Sequence, residues 1–314
     1  RGASAHRPEH TLAAYRLAIA LGADYIEPDL VATKDHVLVA RHENEISSTT
    51  DAGSRPEFAA RRATKVVDGR EATGWFTEDF TLAELKTLRA RERVPDLRPA
   101  NTAFDGQYEI PTFREVLELA VSAGVGVYPE TKHPTYFASL GLPLEPPLIA
   151  ALRDHGLDRR DADVFVQSFE VGNLQALAER LDVRLVQLTS AGGRPYGDSR
   201  TYAELTTPAG LRQVAAYADA IGPSKNQVVP RDADGCLLAP TSLVADAHAA
   251  GLAVHPYTFR PENAFLPADF REGDDAGARG DTAAELALFY SLGVDAVFAD
   301  HPDTAVAVRD GSRL

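Results

Sequence analysis

Cysteine is almost absent from this chain: Cys236 is the only one in 314 residues. One thiol cannot close an intramolecular disulfide, and a cysteine-based metal centre is excluded with it. Methionine is missing altogether, and the chain opens on Arg1. That opening predicts a processed or trimmed N-terminus, such as removal of a signal peptide leaves, and with it a secreted or extracytoplasmic location. No apolar run is long enough to span a bilayer. Basic charge is scarce too, with 32 Lys and Arg against 46 Asp and Glu and a formal net charge of -14. Phosphate backbones and anionic membranes bind basic patches, so a nucleic-acid partner is not expected. Low-complexity linkers are missing, as is any internal repeat beyond a strand–helix unit.

What is present is ordinary for a soluble globular protein: 44% hydrophobic and 25% charged residues, enough chain to bury a core. The length suits a single domain over residues 1–314. After R-G-A-S, the segment P-E-H-T-L-A-A-Y-R-L-A-I-A-L-G repeats Leu12, Tyr15 and Ile19 at helical spacing, with Pro8 in the first turn and Gly22 as a stop. The strand Y-I-E-P-D-L follows, then a turn at T-K-D-H and a second strand from Val37 to His42. From Gly124 onward strand, loop and helix alternate, through G-V-G-V-Y-P-E, D-V-F-V-Q-S-F, V-R-L-V-Q-L-T, A-D-A-I-G-P-S, L-A-V-H-P-Y-T and V-D-A-V-F-A-D. This alternation implies a parallel sheet. About seven such strands, with one more expected just before Arg1, predict an α/β fold of the closed (β/α)8 TIM-barrel type. An open doubly wound sheet is the alternative, but no G-x-G-x-x-G follows the first strand. Residues of about 47–113 break the beat and read as an insertion after the second barrel strand, lying over the active face. Within it T-L-A-E-L-K-T-L-R-A predicts a helix capped by Thr81, with Glu84 completing a capping box.

Barrel chemistry gathers where parallel strands end. Glu27 and Asp29 lie two residues apart in one strand, so both side chains point to the same face. Two carboxylates so close repel, and burial penalises each of them further, so a positive charge must sit between them. Glu130 ends the next parallel strand, and Lys132 shares its face. Three carboxylates at a barrel mouth make an all-oxygen site suited to Ca²⁺ or Mg²⁺; a structural network with Arg or Lys is the competing reading. His42 ends its strand where a general acid or base could stand, although a lone histidine is more often a bystander. His6, His10 and His36 read as surface residues and His255 as a core residue, while His133 and His301 neighbour prolines at strand ends and are unranked.

Taken in order, R-G-A-S…R-P-E-H-T-L-A-A-Y, G-A-D-Y-I-E-P-D-L-V-A-T-K-D…L-V-A-R-H-E and P-E-T-K strongly resemble the glycerophosphodiester phosphodiesterases. Q-S-F-E, H-P-Y-T-F-R and F-A-D-H-P fit the same pattern, so the resemblance covers almost the whole chain. The insertion with G-W-F-T-E-D-F-T-L-A-E-L-K looks like the longer, frequently secreted bacterial members. The resemblance implies Glu27, Asp29 and Glu130 as metal ligands and His42 as a catalytic histidine. It also implies Lys132 as a phosphate-binding lysine and Arg1 as the arginine that contacts phosphate in the catalytic centre. The family pattern opens His-Arg-Gly, which places the other catalytic histidine immediately before Arg1; His6 does not replace it. The implied cofactor is one divalent cation, Ca²⁺ by preference and Mg²⁺ as the alternative. The implied partner is a small glycerophosphodiester, hydrolysed to glycerol 3-phosphate and an alcohol. Similar enzymes are thought to let the glycerol 2-hydroxyl attack phosphorus, giving a cyclic phosphate that water opens. Two rivals stand beside this reading: a phospholipase D-like enzyme acting on sphingomyelin or lysolipids, and a non-catalytic binder of phosphorylated polyols.

Overall fold

Pro28 and Pro129 break the strand pair that carries the acidic residues. The structure is a computed structural model and describes residues 1–311. It divides into two compact units, one of residues 1–166 with 180–183, the other of 167–179 with the chain from 184 onward.

In the first unit the strands are β1 (Tyr25–Ile26), β2 (Asp29–Ala32), β3 (Leu38–Ala40), β4 (Ala63–Val67), β5 (Arg70–Gly74), β6 (Gly126–Val127) and β7 (Glu130–Thr131). β1 pairs in parallel with β6, and β2 with β7, in one register that sets Tyr25 beside Gly126 and Asp29 beside Glu130. Proline has no N–H to donate, so neither strand is continuous across the break. The bonds around it include Tyr128 N to Ile26 O at 2.9 Å, Glu130 N to Pro28 O at 2.9 Å, and Lys132 N to Leu30 O at 3.1 Å. Ile26, Pro28 and Leu30 are buried, as expected of the face opposite the carboxylates. β3 turns back antiparallel on β2, with Leu30 beside Ala40. The turn is tied by Thr33, whose hydroxyl donates to Asp35 and accepts Val37 N–H.

Helix α1 (Leu12–Ala20) starts later than Pro8 because Thr11 caps it, accepting Ala14 N–H at 3.1 Å. Pro8 lies in the preceding turn, where its carbonyl accepts the Thr11 hydroxyl. Residues 47–113, expected to be an insertion, fold within this unit. β4 and β5 form a hairpin closed by Asp68 and Gly69, both at positive φ, the two-residue turn that suits a right-twisted ribbon. Helix α2 (Leu82–Leu85) has the capping box of Thr81 and Glu84, but covers four residues of the longer predicted run. The chain beyond it is drawn off by pairing: Asp51 N donates to Arg89 O at 3.0 Å and Arg91 N to Thr49 O at 2.9 Å. Helix α3 (Phe113–Ala123) has a capping box of Thr112 and Glu115, a left-handed Gly124 at its end, and buries Phe113, Val116, Leu117 and Ala120. Thr112→Ala is expected to destabilise the unit by about 1 kcal/mol. Urea titration checks this, with a lower midpoint at unchanged slope.

After β8 (Phe165–Ser168), the second unit carries β9 (Arg184–Thr189), β10 (Ala220–Pro223) and β11 (Ala253–Val254), with β10 parallel to both neighbours. The predicted strand over Val294–Asp300 is extended chain, bonded by Asp295 N to Val254 O at 2.9 Å and Phe298 N to Pro256 O at 3.1 Å, and regular pairing is reached only at the parallel bridge of Ala299 with Phe259. Pro256 cannot return a bond, which keeps this edge short of a regular ladder. Among the described residues no helix is long and apolar enough to cross a membrane.

Candidate active site

The register of β2 and β7 puts the carboxylates of Asp29 and Glu130 side by side, with Glu27 two residues before one and Lys132 two residues after the other. Lys132 is buried and donates from Nζ to Glu130 Oε1 at 2.9 Å. Burial raises the Glu130 pKa well above the usual carboxylate range; the Lys132 charge opposes this without offsetting it, and the Asp29 charge adds to the rise. Glu27 is likewise pushed up by burial and by Asp29. Asp29 goes the other way: burial penalises its charge, but Lys132 and the hydrogen bond from His10 outweigh that. The Asp29 carboxylate is thus charged, beside two others that its charge discourages from ionising. Its Oδ1 is buried and receives no hydrogen bond from the described residues. A carboxylate oxygen buried without a donor, next to two further carboxyl groups, suits a cation.

His10 corrects the surface reading. It is fully buried, and its Nε2 donates to Asp29 Oδ2 at 2.9 Å while Nδ1 faces the Tyr15 hydroxyl at 2.7 Å. Burial holds its pKa down at about 3, so the ring is neutral. Ligand atoms of His10, Glu27 and Asp29 lie within 4.8 Å of one another, a group that could hold a metal ion. With its Nε2–H spent on Asp29, His10 is better placed to orient that carboxylate than to bind an ion itself. His10 directly precedes the Thr11 cap, at a left-handed φ of 52°, and its ring meets Tyr15 of α1 and Asp29 of β2.

His42 closes the arrangement from β3. Its Nδ1 lies 2.6 Å from Glu43 Oε2, and its Nε2 contacts Arg1 Nη2. A guanidinium only donates and a carboxylate only accepts, so Nδ1 carries the proton and Nε2 the lone pair. Burial, with Lys132 and Arg1 nearby, lowers the His42 pKa to about 4. Arg1 is anchored at Glu27, its backbone nitrogen donating to Glu27 O at 2.5 Å. Neighbouring Arg41 is 1% exposed and donates to the carbonyls of Glu9, His10, Ala40 and Thr49, which ties the His10 turn to the end of β3. The histidine expected before Arg1 lies outside the described residues.

The remaining histidines stand apart. His6 and His36 are half-buried, and His36 Nε2 donates to Pro143 O at 2.7 Å, so neither is a plain surface residue. His133 meets Asp68 at the tip of the hairpin at 2.5 Å. In the second unit His255 is a core residue, as expected, and His301 is buried with neither ring nitrogen hydrogen-bonded to the described residues.

The model of the glycerophosphoryl diester phosphodiesterase family matches residues 1–304 of the chain. The chain is an enzyme of this family. It is 36% identical to a glycerophosphodiester phosphodiesterase of Arabidopsis thaliana, over 96% of this chain and 82% of that protein. It is 30% identical to one of Haemophilus influenzae, over 99% of this chain and 88% of that protein. Two solved structures are similar. One is a glycerophosphodiester phosphodiesterase from Agrobacterium tumefaciens, with TM-score 0.58, 24% identity, and 98% of this chain and 96% of that chain covered. The other is an Oleispira antarctica phosphodiesterase in complex with the product sn-glycerol-3-phosphate, with TM-score 0.65, 21% identity, and 99% and 94% covered. At these identities the likeness shows the fold, which for this family member is the α/β (β/α)8 barrel expected from the strand–helix beat.

Proposed function

We propose that the chain hydrolyses glycerophosphodiesters to glycerol 3-phosphate and an alcohol, using one divalent cation held by Glu27, Asp29 and Glu130. The observation that carries the reading is the Asp29–Glu130 pair with Lys132 bonded to Glu130 and the Arg1–His42 contact within electrostatic reach of Asp29. Carboxylates for a cation, two cations for a phosphate and a neutral imidazole for a proton are what cleavage of a phosphodiester needs. Ca²⁺ is the preferred ion and Mg²⁺ the alternative, because the ligands are hard oxygens. The bound ion would offset the charge of a nonbridging phosphate oxygen and accept glycerol hydroxyls.

The side chains divide the remaining work. His42, neutral and with its Nε2 lone pair beside Arg1, suits a general base that takes a proton from the attacking hydroxyl. That hydroxyl is the glycerol 2-hydroxyl on the cyclic-phosphate route. The histidine expected before Arg1 is then left as the acid that protonates the departing alcohol. Arg1 and Lys132 stabilise the negative charge that builds on phosphorus oxygens as the bond forms. His10 holds Asp29 in place. Comparing glycerophosphocholine with sphingomyelin and lysolipid vesicles tests the substrate class. Higher kcat/KM on the water-soluble diester is expected, and a preference for the lipids would transfer the assignment to a phospholipase D-like activity.

Lys132 separates phosphate binding from ion binding. Its ammonium is a point charge whose loss should hurt the more highly charged transition state more than the singly charged diester. Lys132→Ala is expected to lower kcat/KM strongly while Ca²⁺ affinity stays level or rises, since a nearby positive charge repels the ion. Calorimetric titration with Ca²⁺ beside diester kinetics checks both. Unchanged kinetics with lost stability would make Lys132 a structural partner of Glu130.

A further inference from the structure

Arg93 belongs to the insertion, yet it reaches the residues behind His42. Its guanidinium donates to Glu9 through Nε (2.8 Å) and Nη2 (2.6 Å), and Nη2 also donates to Glu43 Oε1 at 2.6 Å. The second oxygen of Glu43 accepts the Nδ1–H of His42. A line of contacts therefore runs from the insertion through Arg93 and Glu43 to the imidazole, and ends at Arg1 on the far side of the ring. Glu9, the other carboxylate held by Arg93, is 4% exposed and sits in the turn that Arg41 fixes. Arg93 is thus clamped on a buried anchor, with one edge left for Glu43.

We infer that Glu43 and Arg93 are positioning residues for His42, and that through them the insertion is a working part of the phosphodiesterase site. The inference rests on the proposed role of His42 as base. A histidine with two usable nitrogens serves as base only if the one facing substrate lacks the proton. Glu43, an acceptor only, draws the proton to Nδ1; a single carboxylate on a short chain could swing, and Arg93 stops it from swinging. The charge on Glu43 also steadies the imidazolium that forms as His42 takes a proton, the part a carboxylate plays behind the histidine in a serine-protease triad. An ion pair of this partial exposure adds little to stability by itself, so a purely structural role would leave only a small trace.

Glu43→Gln is the sharpest probe. Arg93 only donates, so it would claim the amide oxygen and turn the NH₂ group toward Nδ1. The substitution thereby favours the wrong tautomer, with the proton on Nε2. In the full-length enzyme with glycerophosphocholine, Glu43→Gln is expected to lower kcat on the order of 10²-fold or more, and Arg93→Ala about 10–100-fold, with KM within about twofold in both. Guanidinium ion at a non-denaturing concentration should restore part of the Arg93→Ala rate, which it would not do for a lost packing contact. Nitrogen-15 spectra of histidine-labelled protein should show His42 protonated on Nδ1 in the parent and shifted toward Nε2 in Glu43→Gln. Parent-like kcat in either variant would overturn the inference, as would an Nε2–H tautomer in the parent. So would a rate loss that follows thermal unfolding and ignores guanidinium. If the parent turns over no diester, the functional proposal fails, and the tautomer measurement alone still decides the positioning.

Discussion

Stripping divalent cations from the full-length protein is expected to abolish diester hydrolysis, and adding Ca²⁺ back is expected to restore it. The expectation comes from the charges at the strand ends. Asp29 keeps its charge, while burial and that charge push Glu27 and Glu130 toward the protonated form. Lys132 reaches Glu130, while Asp29 Oδ1 receives no hydrogen bond from the described residues, an oxygen that suits a cation beside two further carboxyl groups. An ion binding there relieves the repulsion and fills that valence at once. Glu27→Gln should fail in the same manner as chelation, because the amide keeps the shape and loses the charge. Rates measured against free Ca²⁺, for both proteins, check it. Full turnover in excess EDTA would contradict a metal role for these residues.

His42→Ala is expected to lower kcat by about 10²–10⁴-fold, the usual worth of a positioned acid or base, while leaving the fold intact. The ring is only partly enclosed, with a side-chain exposure of 27%, and its contacts are polar, so its removal leaves no large apolar cavity. Turnover close to the parent would make His42 a bystander. A melting temperature measured alongside separates the two meanings of a loss, since a structural histidine would lower stability in step with rate.

The acidic half of the site was legible because strand alternation is a strict rule: Glu27 with Asp29 and Glu130 with Lys132 could each be assigned to one face without a structure. The proline in each of these segments, Pro28 and Pro129, did not hide the strands, since the ladder bonds around them survive. His10 was not legible in the same way. P-E-H-T reads as a loop, and the burial of its histidine comes from a partner, Asp29, 19 residues further on. Arg93 and Glu43 were missed for a similar reason, since a contact across 50 residues of an irregular insertion leaves no periodic trace. The regular length of the Val294–Asp300 strand, which pairs only at Ala299, and the full run of α2 were overread. Apolar pattern and helix propensity indicated an element in each case, but Pro256 and the pairing of residues 89–91 with 49–51 limited what formed.

The central claim is that the phosphorus–oxygen bond broken is the one to the departing alcohol, leaving phosphate on glycerol. Phosphorus-31 and proton NMR of glycerophosphocholine turned over by the full-length enzyme with Ca²⁺ test it most directly. The account predicts glycerol 3-phosphate and free choline in equal amounts, with any cyclic phosphate as a transient before them. Phosphocholine and free glycerol as products, or an unchanged diester signal with the ion present, would contradict it.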